Sequence, residues 1–270
     1  MTEIVVGNAR VQYRAEGSGP GLVLVHGTGP GSVTWDALSG GFTDRHTVLL
    51  PDLSGSARVE DDGADLTVEV LAEQVAAVIE HARQEQRLGP GPVDVVGHSL
   101  GAVTSAALAA TRPDLVRRLV LVAGLGHAED PYFRTATGVW LDLAHDPEAF
   151  GRYSALVALS RRHLRTVGHE VVEHVAGVMR PTSGILRQLD LVRRLDIRHL
   201  LPLIQAETLV VGCAEDALVP VENARELRAA IPGSSYAELD CGHVFRAERP
   251  AEFTRLTRDF LQATSLRTAA

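Results

Sequence analysis

The sequence predicts a doubly wound α/β fold built on a mostly parallel sheet. Short apolar runs bounded by Gly, Pro or Asp recur along the chain, and most lack the strict alternation of a half-exposed strand. This pattern is typical of strands covered on both faces. Helical patterns lie between the runs, a spacing that requires right-handed crossovers. The predicted strands are "ARVQYRAEG", "GLVLVHG", "HTVLLPD", "PVDVVGH", "RLVLVAG" and "ETLVVGC".

The composition is that of an ordinary globular protein and excludes several partners. The 270 residues are 45% hydrophobic and 22% charged, with a net charge of −8. This acidic balance argues against nucleic acid, which requires a clustered basic surface. The N-terminus lacks the pattern of a signal peptide, and no window reaches the length of a membrane span. We therefore expect a cytoplasmic protein with no membrane partner.

The two cysteines, Cys213 and Cys241, are too few for a disulfide framework and lack the spacing of a metal site. They follow strands that we expect to be neighbours, so the two side chains can approach each other. Because the expected compartment is reducing, free thiols are favoured over a bridge.

Two helices are predicted within the first half of the chain. After Ser99, "LGAVTSAALAAT" is rich in Ala and ended by Pro113, as expected of a tightly packed buried helix. The segment 66–80 is predicted as an amphipathic helix that begins after the candidate caps Asp65 and Thr67. Its apolar positions fall near one face: Leu66, Val70, Leu71, Val75, Val78 and Ile79.

The alternation of strand and helix breaks between residues 125 and 205. This stretch is helical in pattern and contains no convincing strand, and the strand pattern resumes at Glu207. We predict a helical cap insertion over the end of the sheet. The core domain is then 1–124 together with 206–264, and 265–270 is predicted to be a frayed tail.

The stretch "VDVVGHSLG", residues 93–101, places Ser99 where a strand turns sharply into a helix. Glycines at 97 and 101 make room for that turn. In an open parallel sheet, ligands bind beyond the carboxyl ends of the strands. Such a turn exposes the serine hydroxyl and places the Leu100 backbone N–H at a helix N-terminus, ready to bind an oxyanion. The motif is weak by itself and needs a base and an acid.

A base and an orienting acid follow two later strands. His243 comes directly after the strand-like residues 235–240, and Asp216 follows the strand before it. Glu215 and Asp240 compete with Asp216, but the spacing to the following proline favours Asp216. The order Ser, Asp, His is that expected for a serine at a strand–helix turn. We predict that His243 accepts the Ser99 proton and that Asp216 orients its ring.

An oxyanion requires a second donor, which the loop after an early strand supplies. Gly27 lets this loop fold close to Ser99, so the Thr28 backbone N–H is the predicted donor and Gly29 is the runner-up.

Five motifs in this order resemble the serine-type α/β-hydrolase superfamily over nearly the whole chain: "HGTGPGSVTW", "PDLSGS", "GHSLG", "EDALVP" and "GHVFRAERP". The resemblance implies the eight-stranded sheet of that fold, with a Ser-His-Asp triad and neither metal nor organic cofactor. Two departures concern the pocket. Gly55-Ser56-Ala57 replaces the usual Gly-x-Gly, and Cys213 stands where relatives carry glycine.

The expected function is hydrolysis of an ester, thioester or lactone of a small, largely apolar molecule, free or bound to a carrier, through an acyl-enzyme on Ser99. One alternative is a C–C bond hydrolase of a vinylogous diketone, because "HGTGPG" looks like the loop of ring-cleavage-product hydrolases. Gly97-His98 looks more like an esterase. Another is a non-hydrolytic receptor or synthase. The candidate pocket residues are His26, Gly27, Gly29, Trp35, His98 and Trp140.

Three of those pocket candidates also have a structural interpretation. His26 is expected to hydrogen-bond under the oxyanion loop, His98 to shape the pocket floor, and Trp35 to pack the loop rather than bind substrate.

The charged and histidine-rich parts of the insertion say less about the function. His169 and His174 are five apart and so diverge on a helix, which argues against a zinc site. A cluster of arginines can meet a carboxylate or a carrier phosphopantetheine, although a solvated helix face is the favoured interpretation. These residues are Arg161, Arg162, Arg165, Arg193 and Arg194.

Overall fold

A computed structural model describes residues 1–56 and 58–263, and its centre is an eight-stranded sheet in the order β1-β2-β4-β3-β5-β6-β7-β8. β2 is antiparallel to β1 and β4, and all other neighbours are parallel. The predicted fold class is confirmed. The strands are β1 (Thr2–Val6), β2 (Ala9–Gly17), β3 (Gly21–Val25), β4 (Thr47–Asp52), β5 (Val93–His98), β6 (Val116–Val122), β7 (Glu207–Cys213) and β8 (Ser235–Leu239).

The central strands bury side chains on both faces of the sheet. In β3, Val23 and Val25 enter one apolar cluster, whereas Leu22 and Leu24 enter the other. This is why the parallel strands read as continuous apolar runs. Strand β1 was not among the predicted runs, because it is an edge strand in which only Ile4 is buried.

Helices cover both faces of this sheet. α2, α3 and α9 contribute to the larger apolar cluster, and α1 and α11 to the other. The helices are α1 (Asp36–Ser39), α2 (Val68–Gln84), α3 (Leu100–Thr111), α4 (Pro131–Asp142), α5 (Pro147–Ala158), α6 (Arg161–Val167), α7 (His169–Val178), α8 (Ser183–Arg194), α9 (Val221–Ala230), α10 (Phe245–Glu248) and α11 (Pro250–Gln262).

Helix α2 begins one residue after the predicted cap Thr67, whose side chain accepts a hydrogen bond from the Val70 N–H at 3.2 Å. Val70, which the sequence pattern places near the apolar face, is 42% exposed. The register of α2 follows Leu71, Val75 and Val78, and Val70 lies beside that stripe. Helix α3 is buried along nearly its whole length, as predicted.

The segment from 125 to 205, between β6 and β7, contains helices α4 to α8 and no strand, only one isolated bridge between His127 and Asp196. Its role as a separate cap stays a prediction. Ala57 and the predicted tail 265–270, together with residue 264 of the predicted core, lie outside the described residues. Among the residues described, no helix is both long and apolar enough to cross a membrane.

Candidate active site

Ser99 occupies a sharp turn between β5 and α3. Its backbone has φ 56° and ψ −121°, a conformation that non-glycine residues rarely adopt. The Ser99 N–H donates to the Val122 carbonyl at 2.9 Å, and the Ser99 carbonyl accepts from the Ala102 N–H at 2.9 Å. Strain of this kind persists only where the surrounding structure enforces it, which is typical of a functional turn.

The glycines around Ser99 allow close contacts between backbones. A Cβ on Gly97 would lie 2.2 Å from the Gly101 carbonyl oxygen, and one on Gly101 would lie 2.3 Å from the Val25 carbonyl oxygen. A Cβ on Gly27 would lie 2.9 Å from Ser99 Cβ. Larger residues at these positions would therefore push α3 and the loop after β3 away from the serine.

Asp216 and His243 meet at the ends of β7 and β8. Asp216 Oδ2 accepts a hydrogen bond of 2.7 Å from His243 Nδ1, and both side chains are buried. The other carboxylate oxygen accepts the Leu218 and Val219 N–H groups, each at 2.8 Å. These bonds hold the carboxylate in place and put the ring proton on Nδ1, so that Nε2 is able to accept a proton.

The two competing acids are engaged elsewhere. Arg162 pairs with Glu215 at 2.6 Å and with Asp240 at 2.8 Å. Of the three candidate acids, the structure therefore places Asp216 against His243.

Ser99 and His243 line one cavity at the carboxyl edge of the sheet. In the described residues, no direct hydrogen bond joins the Ser99 hydroxyl to the imidazole. Such bonds are often long before substrate binds and tighten in the complex. The cavity is thus lined by a strained serine and by an imidazole that the buried carboxylate of Asp216 orients from behind the wall.

The cavity is small and mostly apolar, with a volume of about 70 Å³. Pockets that enclose drug-sized ligands measure roughly 300–1,000 Å³. Helices of the 125–205 segment supply much of its wall, so substrate contacts come from both the sheet and this segment. Its apolar lining includes Phe133, Trp140, Met179, Leu189, Val192 and Val219.

Two backbone N–H groups are available as oxyanion donors. Thr28 lines the cavity, and Leu100 begins α3 directly after the serine. Within the described part of the chain, neither N–H donates to another protein group. The Gly29 N–H instead donates to Gln188 Oε1 at 3.0 Å. The runner-up donor is therefore occupied, and Thr28 is the better candidate.

Comparison with known proteins decides the family. A profile described as the alpha/beta hydrolase family matches residues 22–256. This chain belongs to the alpha/beta hydrolase family. Pyrrolizixenacetamide deacetylase of Xenorhabdus hominickii is similar to it, with 38% identity over 97% of this chain and 98% of that protein.

Two further similarities agree with this assignment. An Azorhizobium caulinodans protein whose provisional name is carbamate hydrolase RutD is 29% identical over 94% of this chain and 96% of its own length. The crystal structure of MGS-M2, an alpha/beta hydrolase enzyme from a Medee basin deep-sea metagenome library, has a TM-score of 0.88 and 20% identity and covers the whole of both chains. The latter shows the fold alone.

In this hydrolase, three of the predicted pocket residues line the cavity: Gly27, His98 and Trp140. The other three lie outside its wall. His26 is buried beneath the loop, where its Nδ1 donates to the Gly27 carbonyl at 2.7 Å and its Nε2 accepts the Leu53 N–H at 3.0 Å. Burial lowers its pKa, so the ring is a neutral structural residue.

Trp35 and Gly29 were also predicted to line the pocket, but neither does. Trp35 is only 1% exposed and packs against Phe245 and Phe253, with ring centroids 6.0 and 6.2 Å away. An indole enclosed by aromatic rings packs the core rather than touching substrate. This agrees with the expectation that Trp35 packs the protein and does not bind substrate. Gly29 turns toward helix α8, where its N–H meets Gln188.

Gln188 is a site feature that the sequence did not reveal. Fully buried on α8, it accepts the Gly29 N–H and donates from Nε2 to the Ser54 carbonyl at 3.0 Å. Gly184 approaches Gly55 so closely that a Cβ on Gly184 would lie 2.4 Å from the Gly55 carbonyl oxygen. The loop that carries Thr28 is thus tied directly to the 125–205 segment.

His98 contacts His243, and Arg246 contacts His98 in turn. His98 Nε2–H donates to the His243 carbonyl at 3.0 Å, and His98 Nδ1 accepts from Arg246 Nη1 at 3.4 Å. Burial, together with His243 and Arg246, holds the pKa of His98 well below its ordinary value. His98 is therefore a neutral ring that supports the His243 backbone. Arg246 lies within the motif "GHVFRAERP", which gives no local signal of its contact with His98.

Both cysteines are free and buried. The neighbouring Cys241 thiol and burial hold the pKa of Cys213 well above its usual range. A thiol kept protonated in this way packs as a small apolar group.

The polar residues singled out in the insertion are exposed. His169 and His174 lie on α7, and no group of three or more potential metal ligands occurs among residues 1–56 and 58–263. The arginines face solvent, and two of them pair locally, Arg162 with Glu215 and Arg194 with Asp190. The exposed set is Arg161, Arg162, Arg165, Arg193 and Arg194.

Proposed function

We propose that this chain is a serine hydrolase that removes a short acyl group, of about acetyl size, from an amide or ester of a small molecule. The single observation that carries the proposal is the 2.7 Å Asp216–His243 hydrogen bond in the wall of the cavity that Ser99 also lines. The small cavity volume supports a short acyl group. The relative named as an acetamide deacetylase supports an acyl–nitrogen bond.

The proposed chemistry proceeds through an acyl-enzyme. His243 Nε2 takes the proton of Ser99 Oγ as the oxygen attacks the carbonyl carbon, and the Thr28 and Leu100 N–H groups stabilise the oxyanion. His243 then gives the proton to the departing amine or alcohol. Water attacks the acyl-enzyme by the reverse sequence, so that one water is consumed and a carboxylic acid leaves.

The 125–205 segment has the role of a cap in this proposal. Its apolar side chains exclude water from the acyl group, which strengthens the oxyanion hydrogen bonds. The tie from Gln188 to Gly29 supports this role, since it couples the cap to the loop that carries one donor.

The test measures turnover of 4-nitrophenyl acetate, butyrate and octanoate together with 4-nitroacetanilide. We expect acetate to be the best ester and the anilide to be cleaved. Ser99→Ala is expected to lower kcat by roughly a million-fold, because the nucleophile itself is lost.

Ser105→Ala is the matched control. Ser105 is a buried serine on α3, the helix that follows Ser99, and its hydroxyl has no hydrogen-bond partner in the described structure. Its loss should leave turnover nearly unchanged. Undiminished activity of Ser99→Ala would exclude the acyl-enzyme, and a preference for octanoate would exclude the short acyl group.

A further inference from the structure

Arg246 is a cation at the active-site cavity without a carboxylate partner. It lies on α10, three residues after His243, and lines the same cavity. Its hydrogen bond to His98 Nδ1 is long, at 3.4 Å, and the acceptor is neutral. Across residues 1–56 and 58–263, no Asp or Glu forms an ion pair with it. Burial lowers the pKa of Arg246 to about 10, so the group still carries its charge at neutral pH.

The carboxylates nearest to Arg246 along the chain and in the site are already engaged. Asp216 holds His243 and two backbone N–H groups. Glu248 accepts from Ser160 N at 2.8 Å, from Ser160 Oγ at 2.5 Å and from Gly242 N at 3.2 Å. Turning either acid toward the arginine would leave several buried donors unpaired, which costs more than one ion pair returns.

Arg246 is only partly buried, and the arginine that is buried in the described part of the chain, Arg118, is satisfied by protein partners. Arg118 donates to Glu207 at 3.0 Å and to the carbonyls of Leu261 and Ala263. A buried cation is costly unless it is paired and hydrogen-bonded. The wall around Arg246 is mostly apolar, so its environment supplies no equivalent compensation.

We infer that Arg246 binds a carboxylate carried by the substrate, so that the substrate class is an anionic amide or ester. A guanidinium presents a planar fork of donors that matches a carboxylate. Since the acyl group is short, the carboxylate belongs to the departing amine or alcohol. This inference rests on the proposed function, because Ser99 and His243 define where the acyl group lies.

Hydrolysis of 3-acetoxybenzoate and 3-acetoxybenzamide tests the inference, since the two esters have nearly the same shape and differ in charge. We expect the wild-type kcat/KM to favour the anion by roughly tenfold or more, in line with a charged hydrogen bond. Arg246→Gln should remove that preference, and Arg246→Lys should restore part of it.

Arg249→Gln is the matched control, because Arg249 lies in the same turn and pairs with Asp240 and Glu252 near the surface. Its loss should leave the ratio of the two substrates unchanged. An equal loss on both substrates in Arg246→Gln would overturn the inference and make Arg246 a positioning residue for His98.

A binding measurement separates this inference from the proposed function. Calorimetry on Ser99→Ala should show tighter binding of 3-hydroxybenzoate than of 3-hydroxybenzamide, and adding Arg246→Gln should abolish the difference. This result would support the carboxylate site even if neither ester were hydrolysed. Equal binding of the two compounds to Ser99→Ala would overturn it.

Discussion

The polar groups at the two ends of strand β5 have opposite surroundings. At its start, Asp94 is fully buried and accepts two hydrogen bonds from Arg117, at 2.8 and 2.5 Å. At its end, Ser99 and the nearby Arg246 face a cavity with few protein partners. The amino edge of this sheet therefore satisfies its charges internally. At the carboxyl edge, where ligands bind in open parallel sheets, Arg246 has no ion-pair partner among the described residues.

Cavity size alone would point to the wrong end. A groove of about 940 Å³ at the amino edge is lined by Arg117 and Arg118, but these two pair with Asp94 and Glu207. The cavity at the carboxyl edge is about 70 Å³ and contains the strained serine and the unpaired cation. The reactive and unpaired groups, rather than the cavity volume, therefore indicate which of the two cavities is the candidate active site.

After the loss of Ser99 itself, the largest effect is expected at the carboxyl edge, from Asp216→Asn. The amide preserves the shape but favours the wrong ring tautomer of His243 and cannot stabilise the imidazolium, so kcat should fall by roughly 10⁴. Steady-state hydrolysis of 4-nitrophenyl acetate measures this loss. Asp240→Asn is the control, because that exposed acid pairs with Arg162 and should be nearly silent. If the two variants behaved alike, Asp216 would not be the orienting acid.

The sequence predicted those site residues that a short motif in the chain marks. Ser99, Asp216 and His243 each follow a strand at a recognisable motif, and the structure brings Asp216 and His243 into contact. Their catalytic roles stay predictions until the variants are measured. The residues that line the pocket were less predictable. His26 and Trp35 are close in sequence to the loop that carries Thr28, but their side chains point into packed protein.

The missed residues depend on contacts that span the chain. Among the described residues Arg246 has no ion-pair partner, and the nearby Glu248 accepts from Ser160 of the distant helical segment. Gln188 reaches Gly29 across 159 positions of sequence. Neither arrangement leaves a periodic or motif signal. The fold was more predictable, because a central strand that is buried on both faces has a continuous run of apolar residues in its sequence.

A smaller effect is expected at the amino edge, from Asp94→Asn. Removing the buried charge leaves Arg117 without its partner, although this arginine is 44% exposed and can turn to water. We therefore expect the free energy of unfolding to fall by about 3 kcal/mol, at the lower end for a broken buried pair. Urea titration measures this loss, and the folded variant should keep its turnover.

Asp114→Asn tests whether burial makes the difference. Asp114 pairs with Arg112 at 2.9 Å, but its side chain is 61% exposed. An exposed pair contributes at most about 1 kcal/mol. Equal destabilisation by the two substitutions would mean that the amino edge is no more dependent on its charges than the open surface.

Buried histidines at both edges of the sheet are expected to make the protein less stable in mild acid. Burial lowers the pKa of His46 beside Asp94, and of His26 and His98 at the carboxyl edge. Below the ordinary histidine pKa the unfolded chain binds protons that the folded protein does not. Stability should therefore fall as the pH drops from 7 to 5, by up to about 1.4 kcal/mol per pH unit for each ring.

Urea titrations at several pH values measure this slope, and His46→Gln separates the two edges. The substitution removes the amino-edge ring while leaving the site intact, so the slope should become shallower and keep the part that His26 and His98 contribute. A slope equal to that of the wild type would mean that His46 titrates alike in the folded and unfolded chain. In that case the acid sensitivity would come from the carboxyl edge, where the neutral His98 ring donates to the backbone carbonyl of His243.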